Sequence, residues 1–149
     1  MAKKRVIEVQ TFGLLTHRVG DLWERQIELT LFGQKCSVPM LVNIPKNGGD
    51  PEPNQIEAYN NFNKDIQRIL RSTESAIVKH YGSLKRGKGT MAQDEAAKVV
   101  KLIGVMFPYA RKRPTFGFLF NCDWDEENGL AVKFEDGQIA EVGPQDIVL

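Results

Sequence analysis

The sequence predicts a single α+β domain: an antiparallel sheet of about six or seven strands, with two or three helices inserted in the middle of the chain. Three observations carry this. The first 44 residues alternate side chains with a period of two. Residues 54–104 place apolar residues at helical spacing. Residues 105–142 return to short apolar stretches separated by turn residues. A length of 149 residues suits one domain, because a chain of that size buries about 68–70% of its unfolded surface.

The elements follow in order. Val6, Glu8 and Gln10 alternate with Ile7, Val9 and Thr11, as in a half-buried strand. Trp23, Arg25, Ile27, Leu29 and Leu31 then share one face of a strand, and Glu24, Gln26, Glu28 and Thr30 share the other. The turn Phe32-Gly33-Gln34-Lys35 leads into a return strand over 36–44, making a hairpin. Pro39 lacks an N–H to donate, which predicts an edge position or a bulge there. Residues 45–53, rich in Pro, Gly and Asn, are a loop.

A helix follows Pro53, with Asn54 and Glu57 spaced as a capping box. Ile56, Tyr59, Phe62, Ile66, Ile69, Leu70, Ile77 and Tyr81 form its apolar stripe, Ser72-Thr73 marks a break, and Gly82 is the stop. Residues 83–90 are a basic loop. A second helix starts near Thr90 or Gln93, is supported by Asp94 and Lys98, and ends at Gly104. Strands are expected at about 105–110, 115–122, 130–135 and 138–142. Their turns are Arg111-Lys-Arg-Pro114, Asp125-Glu-Glu-Asn-Gly129 and Glu135-Asp136-Gly137.

Composition narrows the function classes. The chain is 42% hydrophobic and 26% charged, as ordinary globular proteins are. A formal net charge of +1 argues against a globally basic nucleic-acid module. No run approaches the roughly 18 apolar residues of a membrane span, and no signal-peptide core follows the basic start. Cys36 and Cys122 form no CxxC pair. A cytoplasmic protein with two reduced thiols is the expectation.

Few patterns carry chemistry. Gly82 to Lys88 has the GxxxxGK spacing, but a helix precedes it, Gly89 follows Lys88 and Thr90 stands one place late, so the match is fortuitous. Asn121, Asp123 and Asp125 alternate as calcium ligands would. Glu126 in place of the loop glycine and Val132 in place of the bidentate Glu exclude an EF-hand, leaving a looser metal site as an alternative. His17 and His80 have no second His or Cys at ligand spacing. No serine sits in a GxSxG elbow. Phe116, Phe118 and Phe120 alternate as a core face, rather than as a base-stacking platform.

Charge is partitioned along the chain. Residues 83–114 hold eight basic side chains against Asp94 and Glu95, and residues 121–149 hold eight acidic ones against Lys133. A strand over 115–122 joining a basic turn to an acidic one would put the two clusters about 25–30 Å apart. At that distance they would steer partners more than stabilise the fold.

The run Phe118 to Gly137, with Trp124-Asp-Glu-Glu127-Asn-Gly129-Leu130 at its centre, followed by Val142-Gly-Pro-Gln-Asp146, resembles an uncharacterised bacterial family. That family's signature is a Trp-Asp-x-Glu-His-Gly-Leu turn between strands and a terminal Val-Gly-x-x-Asp. Asn128 stands here in place of the signature's His, which weakens any metal or acid–base role for that position. The resemblance implies a small α+β domain with no established activity, and some relatives look like immunity proteins encoded beside secreted toxins.

The leading expectation is therefore a non-enzymatic protein-binding domain without a cofactor, of immunity type, that meets a toxin through Asp123, Trp124, Asp125, Glu126 and Glu127. One alternative is a calcium or small-ligand protein using Asn121, Asp123 and Asp125 within the acidic turn 121–129. Another is phosphate or nucleic-acid binding through Lys85, Arg86, Lys88 and Arg111, Lys112 and Arg113, whose affinity would fall steeply with salt.

Overall fold

Left-handed turn residues set the N-terminal meander. Thr11 and Gly13, both at positive φ, fold strand β1 (Val6–Val9) onto β2 (Gly13–Val19). Gly20 turns the chain into β3 (Leu22–Leu31), and Phe32 with Gly33 into β4 (Gln34–Asn43). Two consecutive positive-φ residues match the right-handed twist of a tight hairpin, and Asp136-Gly137 repeats the device near the C-terminus. The computed structural model describes residues 4–84 and 93–149.

After β4 the chain leaves the sheet through α1 (Pro53–Lys64), α2 (Ile66–Leu84) and α3 (Gln93–Val99). It re-enters as β5 (Val100–Phe107), parallel to β4 over Met40–Val42 and Val105–Phe107. A parallel pair needs a long crossover, which is what the helices supply. β6 (Thr115–Cys122), β7 (Leu130–Glu135) and β8 (Gln138–Gly143) follow as an antiparallel meander, closed by a 3-10 turn over Gln145–Val148. The sheet runs β1 to β8 in chain order, with β1 and β8 at its edges. Among the described residues it has eight strands, not six or seven.

The helices cover one face. Phe62 of α1 packs against Phe107, Phe116 and Phe118, and Phe116 stacks on Phe134 at 4.9 Å. Phe116, Phe118 and Phe120 are core residues, as their alternation implies. A smaller cluster on the opposite face (Leu41, Met106, Leu119, Ala131) is covered by Val148 of the 3-10 turn. Gly117 permits this, since a Cβ there would overlap the Val148 side chain. None of the described helices is long and apolar enough to cross a membrane.

Several expected boundaries are corrected. The capping arrangement lies two residues early: Gln55 Oε1 accepts the Glu52 N–H at 2.7 Å, and Asn54 and Glu57 take no part. The helical break is at Asp65, not Ser72-Thr73, because buried Thr73 satisfies its hydroxyl on Ile69 O at 2.8 Å and stays helical. Gly82 does not stop α2, which continues to Leu84. The second helix ends at Val99, not Gly104, because Val100–Phe107 is drawn between β4 and β6. Pro39 is not on an edge strand. It pairs opposite Gln26, just before β4 gains β5 as its second neighbour. The GxxxxGK stretch lies mostly outside the described residues.

Candidate functional site

The acidic turn between β6 and β7 is braced from several sides. Asp125 Oδ1 accepts the Asn128 N–H at 3.0 Å, and both Asp125 oxygens lie within 3.3 Å of Asn128 Nδ2. Gly129 N–H donates to Asp125 O at 2.9 Å, and Gly129 takes a φ of 65°. Gln145 then clamps the turn: its N–H donates to Asn128 O at 3.0 Å and its Nε2 to Phe120 O at 2.7 Å. A Cβ on Gly129 would overlap the Gln145 side chain. The two stretches carrying the sequence resemblance thus meet in space. Trp124 packs edge-on against Tyr81 of α2, with centroids 5.2 Å apart.

These contacts sort the five proposed binding residues. Trp124 and Asp125 are half-buried and serve the turn itself, whereas Asp123, Glu126 and Glu127 are exposed. Asn121, also exposed, lies opposite Lys101 on β5. With both Asp125 oxygens directed to Asn128, the trio Asn121, Asp123 and Asp125 does not present the converging free oxygens a hard cation needs. Among the described residues, no three His, Cys, Asp or Glu side chains converge as a metal site would.

The charge partition is also revised. Lys98 and Lys101 share a recess of about 360 Å³ with Asp123 and Glu126, at the acidic end of the sheet. At the other end Arg113 pairs with Glu135 at 3.3 Å and Asp136 at 4.0 Å. Arg111 lies 3.9 Å from Glu52. Acidic and basic clusters are therefore interleaved, not separated along β6. Of the cations proposed for phosphate or nucleic acid, Lys85, Arg86 and Lys88 lie outside the described residues, and Arg111 and Arg113 have carboxylate neighbours.

The histidines and cysteines occupy separate places. His17 Nε2 is 2.9 Å from Gly20 O, and its ring meets Trp23 edge-on. His80 lies beside Trp124, with centroids 6.3 Å apart, and burial holds its pKa below the ordinary imidazole value. Cys122 is buried, which pushes its thiol pKa up, and its Sγ donates to Asp125 O at 3.6 Å.

Sequence reasoning missed a groove of about 720 Å³ between α2 and β8. Arg68, Arg71 and Lys79 contribute cations to it, and Ala76, Ile139 and Val142 supply apolar surface. Arg68 Nη2 donates to Gly137 O at 3.0 Å, where β8 begins. His80, on the same helix, meets Trp124 in the turn that Gln145 ties to the chain just past β8. From Arg68 to His80 a helix rises about 18 Å, and from Gly137 to Gly143 a strand advances about 20 Å. Helix and edge strand therefore run side by side, with the groove between them. Arg71 and Lys79 make no ion pair among the described residues. Their face alternates with the buried Ile69, Leu70, Thr73 and Ile77 face, and the polar stripe Arg71, Ser75 and Lys79 at i, i+4 and i+8 is readable from the sequence without revealing what lies beside it.

A family profile described as a domain of unknown function, DUF6985, matches residues 11–149, so the chain belongs to that family. No curated protein and no solved structure matches it.

Proposed function

We propose that this DUF6985 domain is a non-enzymatic protein-binding domain whose partner seats where α2, β8 and the 121–129 turn come together. The observation that carries the reading is the open groove beside an edge strand, with cations on its helical wall that form no ion pair among the described residues and apolar residues within reach. The exposed carboxylates Asp123, Glu126 and Glu127 stand nearby on a braced turn, linked to the groove through Trp124 and His80. Charges of both signs on a fixed backbone favour one docking orientation and reduce the ordering cost of association. In its specific form, suggested by the sequence resemblance, the partner is a bacterial toxin and its basic surface meets the three carboxylates.

Affinity purification of the full chain from its source cell tests this. Three forms are compared: wild type, Arg71→Glu/Lys79→Glu, and Asp123→Ala/Glu126→Ala/Glu127→Ala, each checked for an unchanged melting temperature. Asp125 is left intact because it holds the turn. A stoichiometric protein recovered with wild type and lost with at least one variant is the expected result. Recovery of the same proteins in equal amounts by all three forms refutes the reading.

A further inference from the structure

We propose that β8 accepts an extended acidic segment of a partner protein as an additional strand, with the segment's carboxylates held by Arg71 and Lys79. This rests on the protein-binding reading and specifies the partner's chemistry. β8 pairs with β7 on one side and, among the described residues, has no strand on the other, so its outer edge offers backbone groups to an incoming chain. Ile139 and Val142 line the groove on the β8 side, and the strand spans six residues, Gln138–Gly143.

The spacing of the groove's charges matches a strand. Arg71 and Lys79 are eight helical residues apart, a rise of about 12 Å. Two positions four residues apart on a strand share a face and are about 13 Å apart. A segment patterned acidic-x-apolar-x-acidic therefore brings both carboxylates to the cations. Its central apolar side chain falls between them, against Ala76 and Ile139, the latter 37% exposed.

A second copy of this chain fits less well. Antiparallel pairing of two β8 edges in one continuous sheet would set two α2 helices on the same face, with their cationic rows adjacent. The register also shifts at Ala140, between the Lys133–Glu141 and Phe134–Ile139 pairs, and such an irregularity discourages indiscriminate edge pairing. An occupant carrying its own carboxylates removes the first of these disadvantages, and a short segment need pair with β8 on only one side of the shift.

The probe is a fluorescein-labelled peptide, Gly-Glu-Thr-Ile-Thr-Glu-Gly, titrated with the full chain and read by anisotropy. Saturable binding to wild type is expected. It should weaken at least about ten-fold in Arg71→Glu/Lys79→Glu, while a peptide with Lys at both Glu positions binds that variant better than wild type. Two further peptides, one N-methylated at both Thr residues and one at both Glu residues and Ile, remove the backbone donors of the two strand edges in turn; one of them should abolish binding, and amide exchange along β8 should slow when the parent peptide is bound. No binding at millimolar peptide, or undiminished binding of both N-methylated peptides, overturns strand addition. If the peptide fails while a partner is still recovered in a groove-dependent way, strand addition is wrong and the protein-binding reading stands.

Discussion

Replacing Gly129 by Ala tests whether the C-terminal segment braces the 121–129 turn. The new Cβ would meet three obstacles. Gly129 has a φ of 65°, a left-handed conformation that costs an L-residue about 1–2 kcal/mol. The Cβ would lie 2.7 Å from Phe120 O, a backbone atom of β6 with little freedom to retreat. It would also displace Gln145, whose hydrogen bond to Phe120 O is worth about 1 kcal/mol net. Together these predict a loss of about 2–4 kcal/mol. For a domain of this size, at about 2–4 °C per kcal/mol, the melting temperature falls by about 5–15 °C. Urea unfolding with an unchanged m-value measures the loss directly. The Gln145→Ala background makes the test specific: with the obstructing side chain gone, Gly129→Ala should cost about 1 kcal/mol less than in wild type. A Gly129→Ala loss under about 0.5 kcal/mol, or strict additivity with Gln145→Ala, would refute the clamp.

Three further outcomes follow from the same contacts. Gln55 is fully buried and donates to Asn43 O at 2.7 Å and Phe107 O at 3.3 Å, bridging the ends of the parallel pair, so Gln55→Ala should cost about 2–3 kcal/mol in urea unfolding. Because burial lowers the His80 pKa below 6.5, the unfolded chain takes up that proton first on acidification. Its contribution is fully present above pH 6.5 and lost as pH falls through the folded value, and His80→Gln should flatten that part of the stability–pH curve. With Ellman's reagent at pH 8, half-buried Cys36 should react in the native protein and buried Cys122 only on unfolding. A native Cys36→Ser variant that reacts at the unfolded rate contradicts this.

The antiparallel C-terminal strands were legible because alternation and turn chemistry agreed there: Phe116, Phe118 and Phe120 fill the core, and Asp136-Gly137 makes the hairpin. β2 was not legible, since Gly13-Leu-Leu-Thr-His-Arg-Val19 has no clean alternation and leaves Leu14 62% and Val19 65% exposed. Its existence depends on registers such as Thr16 with Glu24, which only the folded meander supplies. The α3–β5 boundary failed for a related reason. Val99 to Phe107 is apolar but for Lys101, so periodicity alone cannot separate helix from buried strand, and pairing on both sides decides it. In the candidate site, the acidic turn was visible as composition, but the division into bracing and free carboxylates needed Asn128 and Gln145 in place. The groove needed a contact between Arg68 and Gly137, 69 residues apart.

Folding also changes what the charge pattern means. Read along the chain, residues 83–114 are basic and 121–149 acidic, which suggests two opposed surfaces. Meander topology defeats that inference, because successive turns of β6, β7 and β8 return alternately to the same two ends of the sheet. Arg113 thus pairs with Glu135, and Lys98 and Lys101 line the same recess as Asp123 and Glu126. Such exposed pairs contribute about 0–1 kcal/mol each, so they matter chiefly by neutralising local fields. The charges with the most scope for recognition are those the fold leaves uncommitted. Among the described residues, Arg71 and Lys79 meet that condition although they lie outside both sequence clusters, because α2 carries them to an edge strand paired on one side. A mutational scan should therefore find partner affinity more sensitive to Arg71 and Lys79 than to Arg111 and Arg113. Equal sensitivity at the two ends of the sheet would mean that summed charge, not placement beside β8, governs binding.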